Sequence, residues 1–244
     1  MKVLIGVISS RMYPWARMIQ TSKRTWDSVD VPGVETIYYV GAPVSPLEDR
    51  VIGFDIADNL HTMGRKNLAF FRWALAREWD FLARTNASCF TDKARLLKYC
   101  NSLPRTRLVV GGMVERASPA WMWGGYQFLL SRDVVEAIVA NADQWDHLQM
   151  DDVALSRMVF GLGYEHTPMD RACSLNATRR EGEHDWLLYG SDGNHCSFSD
   201  FRAAALARSD KIFFRVKQDG ARHLDAVIMH ELHDHYIRRQ ASPV

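Results

Sequence analysis

Two adjacent carboxylates, Asp151 and Asp152, stand where an apolar-periodic segment begins, in Met150-Asp151-Asp152-Val153. Acidic side chains at a helix start are favoured by the macrodipole and need no further role. A pair can also handle protons: one carboxylate acts as general base, the other orients it, and each raises the other's pKa. Upstream, the apolar run Phe81-Leu82-Ala83 leads into a small polar triplet, Asn86-Ala87-Ser88. Open α/β sheets hold their ligands outside the carboxyl ends of strands, so the triplet stands where a ligand is expected.

Other residues admit two readings. Arg215 and Lys217 are two apart on a predicted strand and so share one face, where they could bind phosphate or form a solvated edge. Trp121-Met122-Trp123-Gly124-Gly125 offers flat rings that pack on a pyranose and glycines that let backbone N–H groups come close. The same tryptophans would also serve as core. His230-Glu231-Leu232-His233-Asp234-His235 falls short of H-E-x-x-H, because His230 and His233 are three apart and Asp234 holds the second histidine's place. The polar face of a terminal helix accounts for it, with a zinc hydrolase as the competing reading. No G-x-G-x-x-G or G-x-x-x-x-G-K-[ST] occurs, which argues against a dinucleotide fold or a P-loop.

The elements that must position these groups follow from periodicity. Strands are expected over 3–8, 34–40, 51–54, 81–83, 108–110, 128–130 and 211–216, and helices over 13–27, 63–79, 93–99, 132–140, 151–160 and 221–239. Ser131 is the expected N-cap of the fourth helix, and Gly161-Leu162-Gly163 closes the fifth. Residues 175–197 are polar and glycine-rich without a period, which predicts a long loop. Alternating strands and helices predict a mostly parallel α/β sheet sandwiched by helices in one domain.

In order along residues 2–163, six segments resemble the β-1,3-galactosyltransferase and Fringe-like group of GT-A glycosyltransferases, including short bacterial and viral relatives. Lys23-Arg24-Thr25-Trp26 is similar to the group's Arg-x-Thr-Trp, and Tyr38-Tyr39-Val40-Gly41 to its Phe-Leu-Leu-Gly strand. Asp58, Met63 and Lys66 fall at spacings like Asp-x-Tyr-x-Asn-Leu-Thr-x-Lys. Arg84 to Phe90 lies on Lys-Thr-Asp-Asp-Asp-x-Phe, with Asn86, Ala87 and Ser88 at the three aspartates. Trp123-Gly124-Gly125-Tyr126 through Ser131-Arg132-Asp133-Val134-Val135 resembles the glycine-rich segment and its helix, and Asp151-Asp152-Val153 the Glu/Asp-Asp-Val motif.

The resemblance implies a GT-A-like domain spanning 1–244, with a nucleotide-binding half over 1–110 and an acceptor and catalytic half over 111–244. It implies inverting transfer of a sugar from a nucleoside diphosphate sugar to a hydroxyl of a saccharide acceptor. Asp152 would be the base and Asp151 would orient it. Ser9, Ser10, Lys23, Lys66, Arg84, Asn86 and Ser88 would contact the nucleotide, while Trp121, Trp123, Gly124 and Gly125 shape the sugar pockets. In the group the aspartate triplet holds a divalent cation. Asn86-Ala87-Ser88 is poorly suited to that, because Mg²⁺ and Mn²⁺ favour carboxylate oxygens. Arg215 and Lys217 would then supply the positive charge, no metal being required unless Mn²⁺ or Mg²⁺ finds non-standard ligands. The alternative is a non-catalytic nucleotide-sugar or glycan-binding protein derived from such an enzyme.

Composition sets wider bounds. With 244 residues, 47% hydrophobic and 24% charged, the chain can build an ordinary core. A net charge of +1 gives no footprint for nucleic acid or an anionic membrane. Cys89, Cys100, Cys173 and Cys196 have no zinc spacing and read as buried thiols. No apolar run approaches the roughly 20 residues of a membrane span. Lys2 to Ile8 comes too early and is too short for a signal peptide, so a cytoplasmic location is expected. The sequons at Asn86 and Asn176 are then coincidental.

Overall fold

Strand β1 (Val3–Ile8) is buried at every position, the pattern of a strand covered on both faces. The computed structural model of the protein describes residues 1–41, 49–114, 121–122, 127–174, 176–178, 186–189, 195–196, 203, 206, 211–219 and 222–238. In it β1 is flanked by β2 (Val34–Val40) and β3 (Val51–Gly53) on one side and by β4 (Phe81–Asn86) on the other. The strands that follow in the chain are β5 (Cys89–Thr91), β6 (Val109–Gly111), β7 (Met113–Val114), β8 (Trp121–Met122), β9 (Phe128–Ser131) and β10 (Thr167–Pro168). The central seven-stranded sheet has the order β10-β6-β9-β4-β1-β2-β3. Only β9 runs against the rest, so the sheet is mostly parallel, as expected.

The period of two divides the strand side chains between two cores. Val3, Ile5 and Val7, with Tyr38, Val40, Phe81 and Ala83, face the core that includes Met18, Ile19, Ile228, Met229 and Leu232. Those residues belong to helix α1 (Trp15–Arg24) and the C-terminal helix His223–His233. Leu4, Ile8, Ile37, Tyr39 and Leu82 face the opposite core. There lie α2 (Met63–Leu75), α4 (Arg132–Ala140) and α5 (Asp151–Gly161), while α3 (Lys93–Cys100) belongs to the first face. Gly6 lets α2 come close: a Cβ there would sit 2.1 Å from Cε1 of Phe70, whose ring stacks on Tyr39 at 4.2 Å.

Several boundaries differ from expectation. Helix α2 stops at Leu75 rather than 79, where Arg132 donates to the carbonyls of Leu75 (2.9 Å) and Arg77 (2.7 Å). Strand β4 continues to Asn86 rather than ending at 83, because its parallel register with β1 runs on to Ile8↔Asn86. Ser131 is the N-cap of α4, but its hydroxyl accepts from Leu108 N–H (2.9 Å) and donates to Asp133 (2.6 Å) instead of bonding the helix. The terminal helix ends at His233 and gives way to a π-type turn over Asp234–Arg238.

The largest correction concerns 175–197, expected to be a loop. It contributes β12 (Asn176–Thr178), β13 (Trp186–Tyr189) and β14 (His195–Cys196), preceded by β11 (Ala172–Ser174). With the late strands β15 (Phe213–Arg215) and β16 (Gln218–Asp219), these build two small sheets, β11-β15-β5 and β14-β13-β12-β16. Strands of two to four residues are too short to display a period, so pairing alone reveals them.

Candidate functional site

The chain leaves β1 toward β2 on one side and later returns to β4 on the other, so the sheet's topological switch point lies between the carboxyl ends of β1 and β4. A cavity of about 510 Å³ opens there. Its floor is Ile8, Ser9 and Ser10 from the end of β1 and Asn86, Ala87 and Ser88 from the end of β4. Ala87 N–H bonds Ile8 O at 3.1 Å, which draws the triplet in against β1. The antiparallel pairing of β5 with β15 sets Arg215 opposite Cys89, and Val216 N–H bonds Ser88 O at 3.0 Å. Arg215 and Lys217, remote in sequence, thereby line the same cavity.

Lys66 projects from α2 as a buried cation, bonded to Ser9 O (3.1 Å) and paired with Asp58 at 2.6 Å. Asp58 also accepts from Arg11 N–H (3.0 Å) and Gly41 N–H (3.3 Å). Gly41 permits that approach, since a Cβ would lie 3.0 Å from Asp58 Cα. Burial alone would raise the Asp58 pKa, but Lys66, Ser10 and the Arg11 N–H hold it below the ordinary carboxylate value. Arg222 completes the basic lining, paired with buried Asp225 at 2.8 Å and lying 4.6 Å over the Trp15 ring. At the rim, Met12, Tyr13 and Leu60 are exposed apolar side chains, Tyr13 to 71%.

The two aspartates open α5, and both are buried. Asp151 is ion-paired to Arg84 of β4 and accepts from Asn67 Nδ2 of α2 at 3.0 Å. Tyr39 donates to Asn67 Oδ1. Arg84 is wholly buried; that burial would lower its pKa, but Asp151, Tyr39 and Asp152 together raise it. Asp152 Oδ1 accepts from Val153 N–H at 2.9 Å. Its carbonyl takes the Ser156 hydroxyl (2.7 Å), which in turn accepts Met122 N–H (2.8 Å) and fastens β8, with half-buried Trp121, to the first turn of α5.

Of the residues singled out in the sequence, the cavity brings together Ser9, Ser10, Lys66, Asn86, Ser88, Arg215 and Lys217. Lys23 lies elsewhere, donating to Asp49 O at 2.7 Å beside the Tyr38 ring. Arg84 does not line the cavity either, being committed to Asp151 inside the fold, and Asp151, Asp152 and Trp121 are likewise not among the lining residues. The cavity also crosses the expected division at residue 110, because Arg215, Lys217 and Arg222 come from the second half. Trp123, Gly124 and Gly125 lie outside the described residues. Sequence reasoning missed Arg222, Trp15, Tyr13, Met12 and Leu60. Trp15 falls within the helix-periodic stretch over 13–27, and the others carry no local signal.

The donor set at the triplet is one amide and one hydroxyl. Asp58, the carboxylate among the described lining residues, is already committed to Lys66 and two backbone N–H groups. Hard divalent cations take carboxylate oxygens, so these residues do not fit Mn²⁺ or Mg²⁺. Among the described residues, no three His, Cys, Asp or Glu side chains gather into a cation site, the C-terminal histidines included.

No protein-family model matches the sequence, and no curated protein is significantly similar to it. The three-dimensional structure does find a likeness, the crystal structure of a glycosyltransferase involved in the glycosylation of the major capsid of PBCV-1. The two superpose with a TM-score of 0.52 at 11% identity, over 94% of this chain and 99% of that one. The fold is GT-A-like. Among the described residues, no helix is long and apolar enough to cross a membrane.

Proposed function

We infer that the protein is an inverting glycosyltransferase similar to the β-1,3-galactosyltransferase and Fringe-like group. It moves a sugar from a nucleoside diphosphate sugar to a hydroxyl of a saccharide acceptor. The observation that carries this reading is the basic cavity at the switch point, with Lys66, Arg215, Lys217 and Arg222 in its lining. The likeness to a glycosyltransferase structure supports it, as does the aspartate pair on the neighbouring helix.

In this reading the nucleoside diphosphate lies over Ser9, Ser10, Asn86 and Ser88. An acceptor hydroxyl attacks the anomeric carbon from the face opposite the diphosphate, and Asp152 takes its proton. The new carbon–oxygen bond forms as the bond from the anomeric carbon to the phosphate oxygen breaks. Arg215 and Lys217 balance the charge that accumulates on the leaving diphosphate, the place where electrostatic stabilisation is commonly largest. Trp121 packs on a sugar ring near α5.

A thermal-shift screen against nucleoside diphosphates and their sugars tests the reading. A ligand at about 100 times its Kd adds about 2.7 kcal/mol to the stability of the state it binds. The expected result is a rise in melting temperature with a nucleoside diphosphate and its sugar, followed by turnover of that sugar in the presence of saccharide acceptors. No shift with any of them would overturn the proposal. A shift without turnover on any acceptor would favour a non-catalytic binding protein.

A further inference from the structure

Lys66 and Asn67 are neighbours on α2 but face different work. Lys66 reaches the cavity, whereas Asn67 reaches Asp151. Gly64, three residues before Asn67, packs on the segment that leads into α5: an added Cβ would lie 3.2 Å from Trp145 Nε1 and in ordinary contact, 3.9 Å, with Asp151 Cα. From the sheet, Arg84 arrives by strand parity on the face that carries Leu82 and Tyr39. Asp151 is therefore gripped from two elements, by a guanidinium below and a carboxamide alongside, and Tyr39 fixes the carboxamide in turn.

We propose that Arg84 and Asn67 are positioning residues which, by gripping Asp151, set the rotation of the first turn of α5 and so the direction of the Asp152 carboxylate. The proposal rests on the glycosyl-transfer reading above. Successive helix residues diverge by about 100°, so holding Asp151 against β4 and α2 fixes the heading of Asp152 relative to them. Asp151 is then a structural anion that never meets substrate, and only Asp152 is left to take a proton. Neither Asn67 nor Tyr39 lines the cavity, so loosening the grip leaves the binding surface for the nucleotide in place.

The test compares wild type, Asp152→Asn, Asn67→Ala, Tyr39→Phe and Arg84→Lys in steady-state turnover, with melting temperature and nucleoside diphosphate binding measured in parallel. Arg84→Lys loses the paired geometry of a buried carboxylate and is expected to lower the melting temperature as well as kcat, so Asn67→Ala and Tyr39→Phe are decisive. Asn67→Ala is expected to lose about 10²-fold in kcat, the cost of misplacing a reacting group by about 1 Å. Tyr39→Phe should lose less in the same direction, and both should keep the KM for the sugar nucleotide and their affinity for the diphosphate. Wild-type kcat in folded Asn67→Ala and Tyr39→Phe would overturn the positioning role and leave the glycosyl-transfer reading standing. Failure of wild type to turn over any sugar nucleotide would bring down both together.

Discussion

Replacing Arg215 by Ala removes a cation that β15 holds beside Ser88, where the diphosphate of a sugar nucleotide would rest. A unit charge about 4 Å from a phosphate oxygen interacts by roughly 4 kcal/mol at an effective dielectric near 20. Arg215 is half-buried and Lys217 and Lys66 remain in the lining, so about half of that figure should survive as a net loss. About 2 kcal/mol in the transition state is roughly 30-fold in rate. Lys217→Ala should behave similarly, and the double variant should lose more than either single one. The assay is release of nucleoside diphosphate from the sugar nucleotide, in excess EDTA and with added Mn²⁺. Wild type should keep its rate in EDTA and gain nothing from Mn²⁺, because the charge that a cation would supply comes from side chains. Activity abolished by EDTA, restored by Mn²⁺ and indifferent to both substitutions would refute the argument, since the diphosphate would then be neutralised by an ion held elsewhere.

Asp152→Asn should cut turnover by about 10²–10⁴-fold with little change in affinity for the nucleoside diphosphate, as the loss of a general base requires; near-normal turnover would remove Asp152 from the chemistry. Trp121→Leu keeps apolar bulk but loses the flat ring face, so saccharide affinity should fall with little change in melting temperature, and a loss of stability alone would make Trp121 a packing residue. Gly6→Ala puts a methyl group into the Phe70 ring and should destabilise by about 1–3 kcal/mol in denaturant unfolding, the usual cost of overpacking. The Asp58 carboxyl, whose folded pKa lies below its unfolded value, contributes stability that is present above about pH 3.9 and lost as pH falls through the folded pKa. Melting temperature should accordingly drop more steeply below about pH 4 in wild type than in Asp58→Asn, and parallel curves would show that the Lys66–Asp58 pair does not carry this dependence.

The unbroken apolar run of β1, Val3-Leu4-Ile5-Gly6-Val7-Ile8, already specifies a strand buried on both faces, and with it a helix-covered parallel sheet. Phe81-Leu82-Ala83 followed by polar residues likewise marks a strand whose end lines the cavity. Such features are local, because periodicity and the chemistry of the side chains fix them before any long-range contact forms. For that reason Asn86 and Ser88, and Ser9 and Ser10, are legible as residues at strand ends, which the structure brings into one cavity. Arg84 shows the reverse, a side chain whose partner lies far away in the chain. The resemblance implies a nucleotide contact for it, whereas β4 carries it onto the face of Leu82, where it pairs with Asp151.

Sequence by itself determined six of the central sheet's seven strands, the helices that cover it, the polar triplet and the acidic helix start. Tertiary structure decided which charges meet. Arg215 and Ser88 line one cavity because β15 pairs with β5, and no local pattern encodes a pairing between segments so far apart in the chain. Arg222 arrives beside Trp15 because the C-terminal helix packs on α1. Short strands in 172–196 carry too few residues to show alternation, so hydrogen bonding to distant partners defines them. The division follows from the range of the forces: backbone geometry and side-chain period act over a few residues, whereas the cavity's charge is assembled from segments that only the folded sheet brings into contact.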